Sequence, residues 1–470
     1  MRRAPTRRFS AILIALAVVA SACGDDGGSD ATADGTAPPE AADDTAPPEA
    51  ADGDGAGDDA PADDETVPQD TAPTTAAPEE ERRASFRGVT EDVIRVGVID
   101  YDWDTLAAAG VSLGNSNSVD LMEAAVQEIN DRGGIYGRTL EIYAKEFLPV
   151  GATEADQVCV ELTEDEEVFL VLGRLRDDQV LCFTETYETA AFTLRGMTES
   201  RLERSAAPYV TIAGVEEERI ATIIGLMDDL GVLGDATIGV TGSAGANQSN
   251  FDAALAELRN LGYDPTDALS GETGDDVSES EREAELLYER LKQAGVDTAI
   301  ATTGVANEIA VARSSGFEPD QWILTTMITG RALTDGGVPW EFLDGALSAT
   351  ITPVGTSAQP GLVDDPDTSA CIDDLVSRSG HEVFYELDVE INDIGSALLA
   401  CGLARIVENA LLNAGVNPTN ETLQAGIEAI GELELAGYGT ATLSAGDYGA
   451  VDTPRLVRFD GATGVWNPVE

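Results

Sequence analysis

The sequence predicts an α/β protein in which parallel sheets are arranged in two lobes. From about residue 92 onwards, short apolar strands alternate with amphipathic helices, an order typical of parallel sheets covered by helices on both faces. The chain holds more of these units than one hydrophobic core accommodates comfortably, so we expect two lobes. Hydrophobic residues make up 43% of the chain, which is enough for sizeable cores.

The first strand–helix–strand unit shows the pattern most clearly. Residues 94–99 form a short apolar run, and residues 118–131 place their apolar side chains on one helical face, with Ser118 able to cap the start. The Gly133–Gly134 pair ends this helix. The alternating residues 139–144 predict the next strand.

Similar units follow along the chain. Further strands are predicted at 168–172, 209–213, 236–241, 297–303 and 322–326. Further helices are predicted at 249–260, 306–314 and 393–414. The last of these helices carries Leu, Ile and Ala residues along one stripe, which indicates a helix with a buried face.

The first 22 residues have the features of an export signal. Four arginines precede the apolar residues 11–20, a run too short to span a bilayer as a stable helix. The small residues before Cys23 resemble a bacterial lipobox, although Ala20 stands where Leu is usual. This resemblance implies cleavage before Cys23 and lipidation of its sulfur, which would anchor an extracytoplasmic protein to the outer face of the cell membrane. An ordinary signal peptide cut after Ala22 is the alternative.

Residues 23–85 are predicted to form a disordered, acidic tether. The stretch 24–81 consists mainly of Asp, Ala, Gly, Pro, Thr and Glu and contains no Lys or Arg. Because it has almost no large apolar side chains, it cannot offset the entropy that would be lost on ordering. Its expected reach is roughly 40 Å, which would hold a folded domain near a membrane and leave it mobile.

The charge and the motif content exclude several classes of protein. A net charge of -60 repels nucleic acid phosphates and anionic membrane surfaces, so neither is an expected partner. The chain has one histidine, His381, with no recognisable catalytic partner near it in sequence. It lacks G-x-S-x-G and P-loop motifs. A hydrolase or an ATPase is therefore disfavoured, and no cofactor is predicted.

Four cysteines remain after Cys23, and they allow three disulfide connectivities. Local pairing of Cys159 with Cys182 and of Cys371 with Cys401 is the simplest choice, and export would permit it. Free buried thiols are the alternative.

Several strings resemble the leucine/isoleucine/valine-binding type of periplasmic binding proteins, which have the type I fold. The strand 94–99 (IRVGVI) is similar to the first strand of that family, and 124–142 (AAVQEINDRGGIYGRTLEI) contains its most specific stretch, GGI-x-GR. Residues 237–262 resemble its second-lobe strand and helix, residues 397–435 its later helical region, and the tail RLVRFDGATGVW its closing strands. The resemblance covers about residues 92–470.

The resemblance implies two Rossmann-like lobes joined by three crossovers. Lobe one would comprise 92–212 and 348–436, and lobe two would comprise 213–347 and 437–470; both proposed disulfides then fall in lobe one. Proteins of this kind close around a small molecule and deliver it to the permease of an ABC transporter. We therefore expect a monomeric, non-enzymatic binding protein for an amino acid, an amide or a related carboxylate. A sensory receptor that uses the same clamp is the alternative function.

The ligand is expected beyond the carboxyl ends of the strands, where two facing sheets form a cleft. Hydroxyls and backbone N–H groups there would suit a carboxylate. The candidate residues of lobe one are Tyr101, Asp102, Asn115, Ser116, Gly173, Arg174, Arg176, Thr193 and Arg195. Those of lobe two are Ser243, Asn247, Thr302, Thr303, Thr325 and Met327.

The loop after the first strand interleaves carboxylates with aromatic residues. Tyr101 and Asp102 would suit a cation or an amine, or they belong to a simple solvated loop. The D-x-D-x-D spacing does not predict a calcium site, because Thr105 and Val111 stand where the loop requires Gly and Glu.

Arg174 and Arg176 depart from the family pattern, which usually has small hydroxyl residues at this place. Arginine forks suit a carboxylate or a phosphate, so the sequence predicts an acidic group on the ligand, unless these arginines pair with the neighbouring Asp177 or Asp178. The family often binds a ligand ammonium through an acidic residue near Met327. None occurs here before Asp335, and Asp102 or Asp104 would have to substitute.

Overall fold

The computed structural model describes residues 81–103, 105, 118–148, 153–175, 177–272, 277–303, 306–328, 330–351, 365–381, 383, 394–451 and 454–469. The predicted signal peptide, Cys23 and most of the predicted tether lie outside these ranges. The last tether residues are described, and they contact lobe one: Arg82 donates to the Gly137 carbonyl at 2.7 Å, and Ser85 donates to the Pro418 carbonyl at 2.7 Å.

Lobe one is built on a five-stranded sheet in the order β2-β1-β3-β4-β5, and all its strand pairs are parallel. Its strands are β1 (Val93–Tyr101), β2 (Thr139–Phe147), β3 (Leu170–Gly173), β4 (Ala190–Thr193) and β5 (Tyr209–Thr211). The first helices of this lobe are α1 (Ser118–Asp131), α2 (Thr153–Val160), α3 (Gln179–Leu181) and α4 (Glu199–Arg204). Single π-helical turns, Glu161–Asp165 and Cys182–Thr186, extend α2 and α3.

Lobe two is built on a seven-stranded sheet in the order β14-β13-β10-β9-β8-β6-β7. Its strands are β6 (Ile238–Ala244), β7 (Thr266–Glu272), β8 (Thr298–Ala301), β9 (Gln321–Leu324), β10 (Leu347–Thr350), β13 (Arg455–Asp460) and β14 (Val465–Pro468). Its helices are α5 (Glu216–Asp229), α6 (Gln248–Asn260), α7 (Val277–Ala294), α8 (Ala306–Ser314) and α9 (Gly330–Asp335). Strand β13 runs antiparallel to both of its neighbours, whereas the other pairs are parallel.

The chain returns to lobe one for three helices and a hairpin. These elements are α10 (Pro366–Ser379), α11 (Ile394–Ala414), α12 (Asn420–Glu428), β11 (Gly431–Leu435) and β12 (Gly439–Leu443). Helix α11 is long and apolar enough to cross a membrane, but 83% of its most apolar window is buried inside the protein. It packs in the same core as α1 and the first sheet, so we interpret it as the central core helix of lobe one.

The structure locates the two later passages between the lobes differently from the sequence-based limits of 348 and 436. Strand Leu347–Thr350 pairs with β9 and β13, and its apolar side chains lie in a core of lobe two. The hairpin that ends at Leu443 packs in the core of lobe one. The first passage follows β5, where Val215 forms an isolated parallel β-bridge with Met197.

Both locally spaced cysteine pairs form disulfides. Cys159 is bonded to Cys182 and Cys371 to Cys401, and each pair has a Cα–Cα distance of 6.3 Å. The first bond joins the two helices that flank β3, and the second joins α10 to α11. Both bonds therefore lie in lobe one.

Candidate ligand-binding site

The ends of the strands of both sheets border one cavity of about 290 Å³. Lobe one lines it with residues that follow β1, β3 and β4, namely Tyr101, Arg174, Leu175, Asp177, Leu194, Arg195, Gly196, Thr198 and Arg201. Lobe two lines it with Glu216, Asn247, Asn250, Thr302, Thr303 and Thr326. The cavity thus lies beyond the carboxyl ends of parallel strands, which is where open α/β sheets bind ligands.

Arg174 lines the cavity, but its guanidinium is held by the protein. Its Nη1 donates to Asp100 Oδ2 at 2.5 Å and to Ser118 Oγ at 2.9 Å, and its Nη2 donates to Ser396 Oγ at 3.4 Å. The guanidinium also lies 5.6 Å from the centre of the Trp103 ring, within the range of a cation–π contact. Arg174 therefore joins β1, α1 and α11 at the cavity wall, and its charge is already paired with the buried Asp100 carboxylate.

Asp100, the partner of Arg174, is itself almost fully buried. Its other carboxylate oxygen accepts the backbone N–H of Tyr101 at 2.7 Å and the indole N–H of Trp103 at 3.2 Å. The pair of Asp100 and Arg174 therefore fixes the loop after β1, because both oxygens of the carboxylate accept hydrogen bonds.

Arg195 is an arginine of the lining whose charge has no directly bonded partner within the described residues. It follows β4 and is half-buried. Among the described residues, its guanidinium makes no hydrogen bond and no ion pair. Burial and the nearby Arg219 lower the pKa of Arg195, and the opposing influence of Glu216 and Tyr438 does not offset them. An arginine stays protonated in proteins, so this environment indicates a cation that is short of a counterion.

Glu216 lies at the start of α5, and its carboxylate is already engaged by Arg219 one turn later in the same helix. Arg219 also donates to the backbone carbonyl of Thr325 at 2.6 Å. Burial would raise the pKa of Glu216, but Arg219 and Arg195 outweigh it and hold that pKa below its usual value. Because the Glu216 backbone N–H donates to the Met197 carbonyl at 2.8 Å, this ion pair lies at the passage between the lobes.

A third arginine of the lining, Arg201, also has protein partners. Its Nε donates to Asp178 at 2.9 Å and its Nη1 donates to the Gly196 carbonyl at 2.9 Å. The described lining thus contains three arginines and two carboxylates, and Asp177, the second carboxylate, has a partner as well. Because Asp100 and Asp178 neutralise Arg174 and Arg201, Arg195 is the arginine of the described lining that has no directly bonded carboxylate.

The strand ends of lobe two present a neutral, polar wall. Thr302 donates to the Thr241 carbonyl at 2.8 Å, and Thr303 donates to the carboxylate of Glu308 behind the wall. Asn247, Asn250 and Thr326 differ from these, since their side chains make no hydrogen bond within the described part of the chain. These three side chains therefore have unused hydrogen-bonding capacity next to the cavity.

The structure brings together part of the predicted site. The predicted residues that line the cavity are Tyr101, Arg174, Arg195, Asn247, Thr302 and Thr303. The predicted residues Asn115, Ser116 and Arg176 lie outside the described ranges, as does Asp104. The predicted residues that are described but do not belong to the lining are Asp102, Gly173, Thr193, Ser243, Thr325 and Met327.

The residues outside the lining have structural contacts instead. Asp102 accepts the backbone N–H of Thr105 at 2.9 Å and its hydroxyl at 2.6 Å, as a residue at the start of a helical turn does. Gly173 has a φ of +138°, and a Cβ there would collide with the backbone of β1. Thr325 is fully buried and bonds to the end of β8. Apart from Ser243, each predicted and described residue outside the lining is the direct neighbour of a residue that lines the cavity, and sequence patterns do not locate strand ends to a single residue.

Several lining residues were not predicted from the sequence. Leu175 and Leu194 lie next to the predicted Arg174 and Arg195, which also line the cavity, whereas Thr326 lines it in place of its predicted neighbours. Asn250 lies three residues after Asn247 and so shares its face of the helix start. Glu216 was missed because an acid was sought near Met327 and then in the loop of Asp102 and Asp104; its signal was its place shortly after β5, at the first passage between the lobes.

Comparisons with known proteins support the fold. No protein-family model matches the chain, and no curated protein matches it. Among solved structures, a possible leucine/isoleucine/valine-binding protein from Rhodopirellula baltica is 15% identical, with 81% of this chain and 96% of that chain covered and a TM-score of 0.58. A fatty acid ABC transporter substrate-binding protein from Thermomonospora curvata is 16% identical, with coverages of 83% and 94% and a TM-score of 0.60. An ABC transporter solute-binding protein from R. palustris in complex with 4-hydroxybenzoate is 14% identical, with coverages of 81% and 96% and a TM-score of 0.60.

These identities are low, and the likeness therefore concerns the fold. The α/β fold class predicted from the sequence is confirmed: the chain has the type I periplasmic binding fold of these ABC transporter substrate-binding proteins.

Proposed function

We propose that the protein is an extracytoplasmic, lipid-anchored solute-binding protein, which captures a small polar molecule by closure of its lobes and delivers it to an ABC permease. The observation that carries this proposal is the cavity of about 290 Å³ lined by strand ends of both lobes. A molecule that contacts both walls has a higher affinity for the closed arrangement, so its binding shifts the protein towards that arrangement.

The lining supports binding rather than catalysis. The one histidine of the chain, His381, does not line the cavity; its ring lies at the surface of lobe one and pairs with Asp120 at 2.6 Å. The lining of the described residues consists of arginines, carboxylates, hydroxyls, amides and apolar side chains, and its charged groups are already paired apart from Arg195. Nucleophilic catalysis usually combines a nucleophile with a histidine or another base and an orienting group, and the described lining contains no histidine.

The two disulfides support an extracytoplasmic location, because such bonds persist in oxidising compartments. Lipidation at Cys23 follows from the lipobox-like sequence, and the acidic tether that comes after it would let the lobes reach a permease in the same membrane. Replacement of Cys23 by Ala is expected to release the protein from the membrane fraction.

A solute screen tests the central claim. The full-length protein is heated in the presence of amino acids, amides, polyamines, sugars and carboxylates, and a molecule that binds the native state raises the unfolding midpoint. Small-angle X-ray scattering with and without each hit then measures closure as a decrease in the radius of gyration. A screen without hits, or hits that leave the scattering unchanged, would contradict capture by closure. Co-purification with a neighbouring permease tests delivery separately.

A further inference from the structure

We infer that the ligand is a carboxylate without an ammonium group, held by Arg195 of lobe one and by neutral side chains of lobe two. The inference deepens the proposed function and rests on it. It places the anion-binding role on Arg195, whereas the sequence had suggested Arg174 and Arg176.

The first step concerns which arginine is available. Arg174 is committed to Asp100, Ser118 and Ser396, and removing it from them would leave the Asp100 carboxylate buried and unpaired. Arg195 has no such commitments among the described residues. A half-buried guanidinium with unused donors binds a carboxylate through charge-assisted hydrogen bonds, which are the strong class of hydrogen bond.

The second step concerns what the cavity lacks. A zwitterionic amino acid needs a negative group near its ammonium, because a desolvated and unpaired ammonium is costly. Glu216 lies in the lining but is bound to Arg219, and Asp177 has a partner as well. The described lining therefore provides no uncommitted carboxylate for an ammonium group.

The third step concerns the rest of the ligand. Tyr101, Leu175 and Leu194 give the wall of lobe one an apolar part. On lobe two, the amide of Asn247 and the hydroxyl of Thr326 have no side-chain hydrogen bond within the described ranges. The volume of about 290 Å³ lies at the small end of ligand pockets. These features fit a small acid with an apolar body and, at its far end, a neutral polar group.

Matched compounds test the charge requirement directly. Isothermal titration calorimetry on the full-length protein compares 4-methylpentanoate with its amide and with L-leucine, which share one carbon skeleton, and 4-hydroxybenzoate with its amide. The carboxylates are expected to bind at least about tenfold more tightly than the amides, and 4-methylpentanoate more tightly than L-leucine. Preference for L-leucine or for the amides, or failure of both ammonium-free carboxylates to bind at millimolar concentration, overturns the inference.

Variants then assign the effect to Arg195. Arg195→Gln is expected to weaken carboxylate binding by about 10- to 100-fold and to leave the amides unchanged. Arg290→Gln is the matched control, because Arg290 is an exposed arginine of α7 and does not line the cavity. Equal carboxylate affinity in Arg195→Gln and in the control overturns the inference.

The unfolding midpoint of the ligand-free protein separates binding from structural support. Because Arg195 is short of a counterion, Arg195→Gln is expected to keep or raise that midpoint. A fall of several degrees would assign a structural role to Arg195 and overturn the inference. If the wider screen finds only sugars or polyamines that close the lobes, the proposed function stands and the inference fails; if no solute of any class binds, both fail.

Discussion

Replacement of Asp100 by Ala is predicted to destabilise lobe one strongly. The change leaves the Arg174 guanidinium in a site where its side chain is 11% exposed and the lost carboxylate was 4% exposed. Removal of one partner from a buried ion pair costs about 3–5 kcal/mol. The indole N–H of Trp103 and the backbone N–H of Tyr101 lose their acceptor in the same change, which places the expected cost in the upper part of that range.

A cost of about 4 kcal/mol corresponds to a fall of roughly 8–16 °C in the unfolding midpoint of a lobe of this size. Urea unfolding followed by circular dichroism measures the free energy. Asp267→Ala is the matched control, because Asp267 pairs with Arg290 where the side chains are 53% and 61% exposed, and such a pair contributes about 0–1 kcal/mol. Asp100→Asn keeps an acceptor oxygen and should fall between the two. Equal costs for Asp100→Ala and Asp267→Ala would refute the argument that burial makes the Arg174 pair important.

Three further predictions follow from backbone geometry, cross-linking and charge. Gly173→Ala should lower the unfolding free energy by at least about 2 kcal/mol, because its Cβ would collide with the backbone of β1. Gly225→Ala should raise the unfolding free energy by about 0.5–1 kcal/mol, because Gly225 lies inside α5 with no atom near its Cβ position. Urea unfolding measures both changes and their opposite signs. Ser replacement of both Cys371 and Cys401 removes a link across 30 residues, and calorimetry should show a loss of about 3–4 kcal/mol. The folded-state pKa of Glu216 is lowered, so its stabilising contribution is present above about pH 4.3 and is lost as the pH falls. The destabilisation by Glu216→Gln should therefore be largest at neutral pH and shrink in acid, and a pH-independent difference would contradict this assignment.

The sequence was sufficient to predict the regular elements because their apolar periodicity is strong. The helix predicted at 118–131 is observed as Ser118–Asp131, and the one predicted at 306–314 as Ala306–Ser314. The limits of the lobes were harder to predict, because Leu347–Thr350 is apolar whichever sheet it joins. Only the pairing with β9 and β13 assigns it to lobe two, and that pairing depends on contacts distant in sequence.

The candidate site was predictable in position but not in role. Strand ends indicated the edge of each sheet that borders the cavity, because parallel strands bring their carboxyl ends together. The sequence could not tell Arg174 from Arg195, because each follows a buried strand. Their difference comes from Asp100 and Ser396, which reach Arg174 and not Arg195 in the folded chain. The availability of a charged side chain is thus set by tertiary contacts.

The large negative charge of the chain leads to a last prediction about the rate of capture. A protein with a net charge of -60 repels an anion at long range, and this repulsion is screened beyond about 10 Å in 0.1 M salt but reaches about 30 Å in 0.01 M salt. If Arg195 binds the ligand as proposed, its attraction for a carboxylate acts at contact distance inside the cavity, where salt screens it much less. Added salt should therefore speed the association of a carboxylate and change its dissociation rate little.

Stopped-flow fluorescence with 4-hydroxybenzoate at several concentrations of sodium chloride measures both rates. The neutral amide of the same compound is the control, and its rates should not respond to salt. The sign of the response is informative about the ligand class, because a cationic ligand would be attracted by the same field and would associate more slowly as salt is added. A fall in the association rate of the carboxylate with added salt would contradict the view that long-range repulsion and a local arginine act in opposite directions. Since the acidic tether contributes to the field, its removal should reduce the salt response without changing the dissociation rate, which depends on the contacts of Arg195.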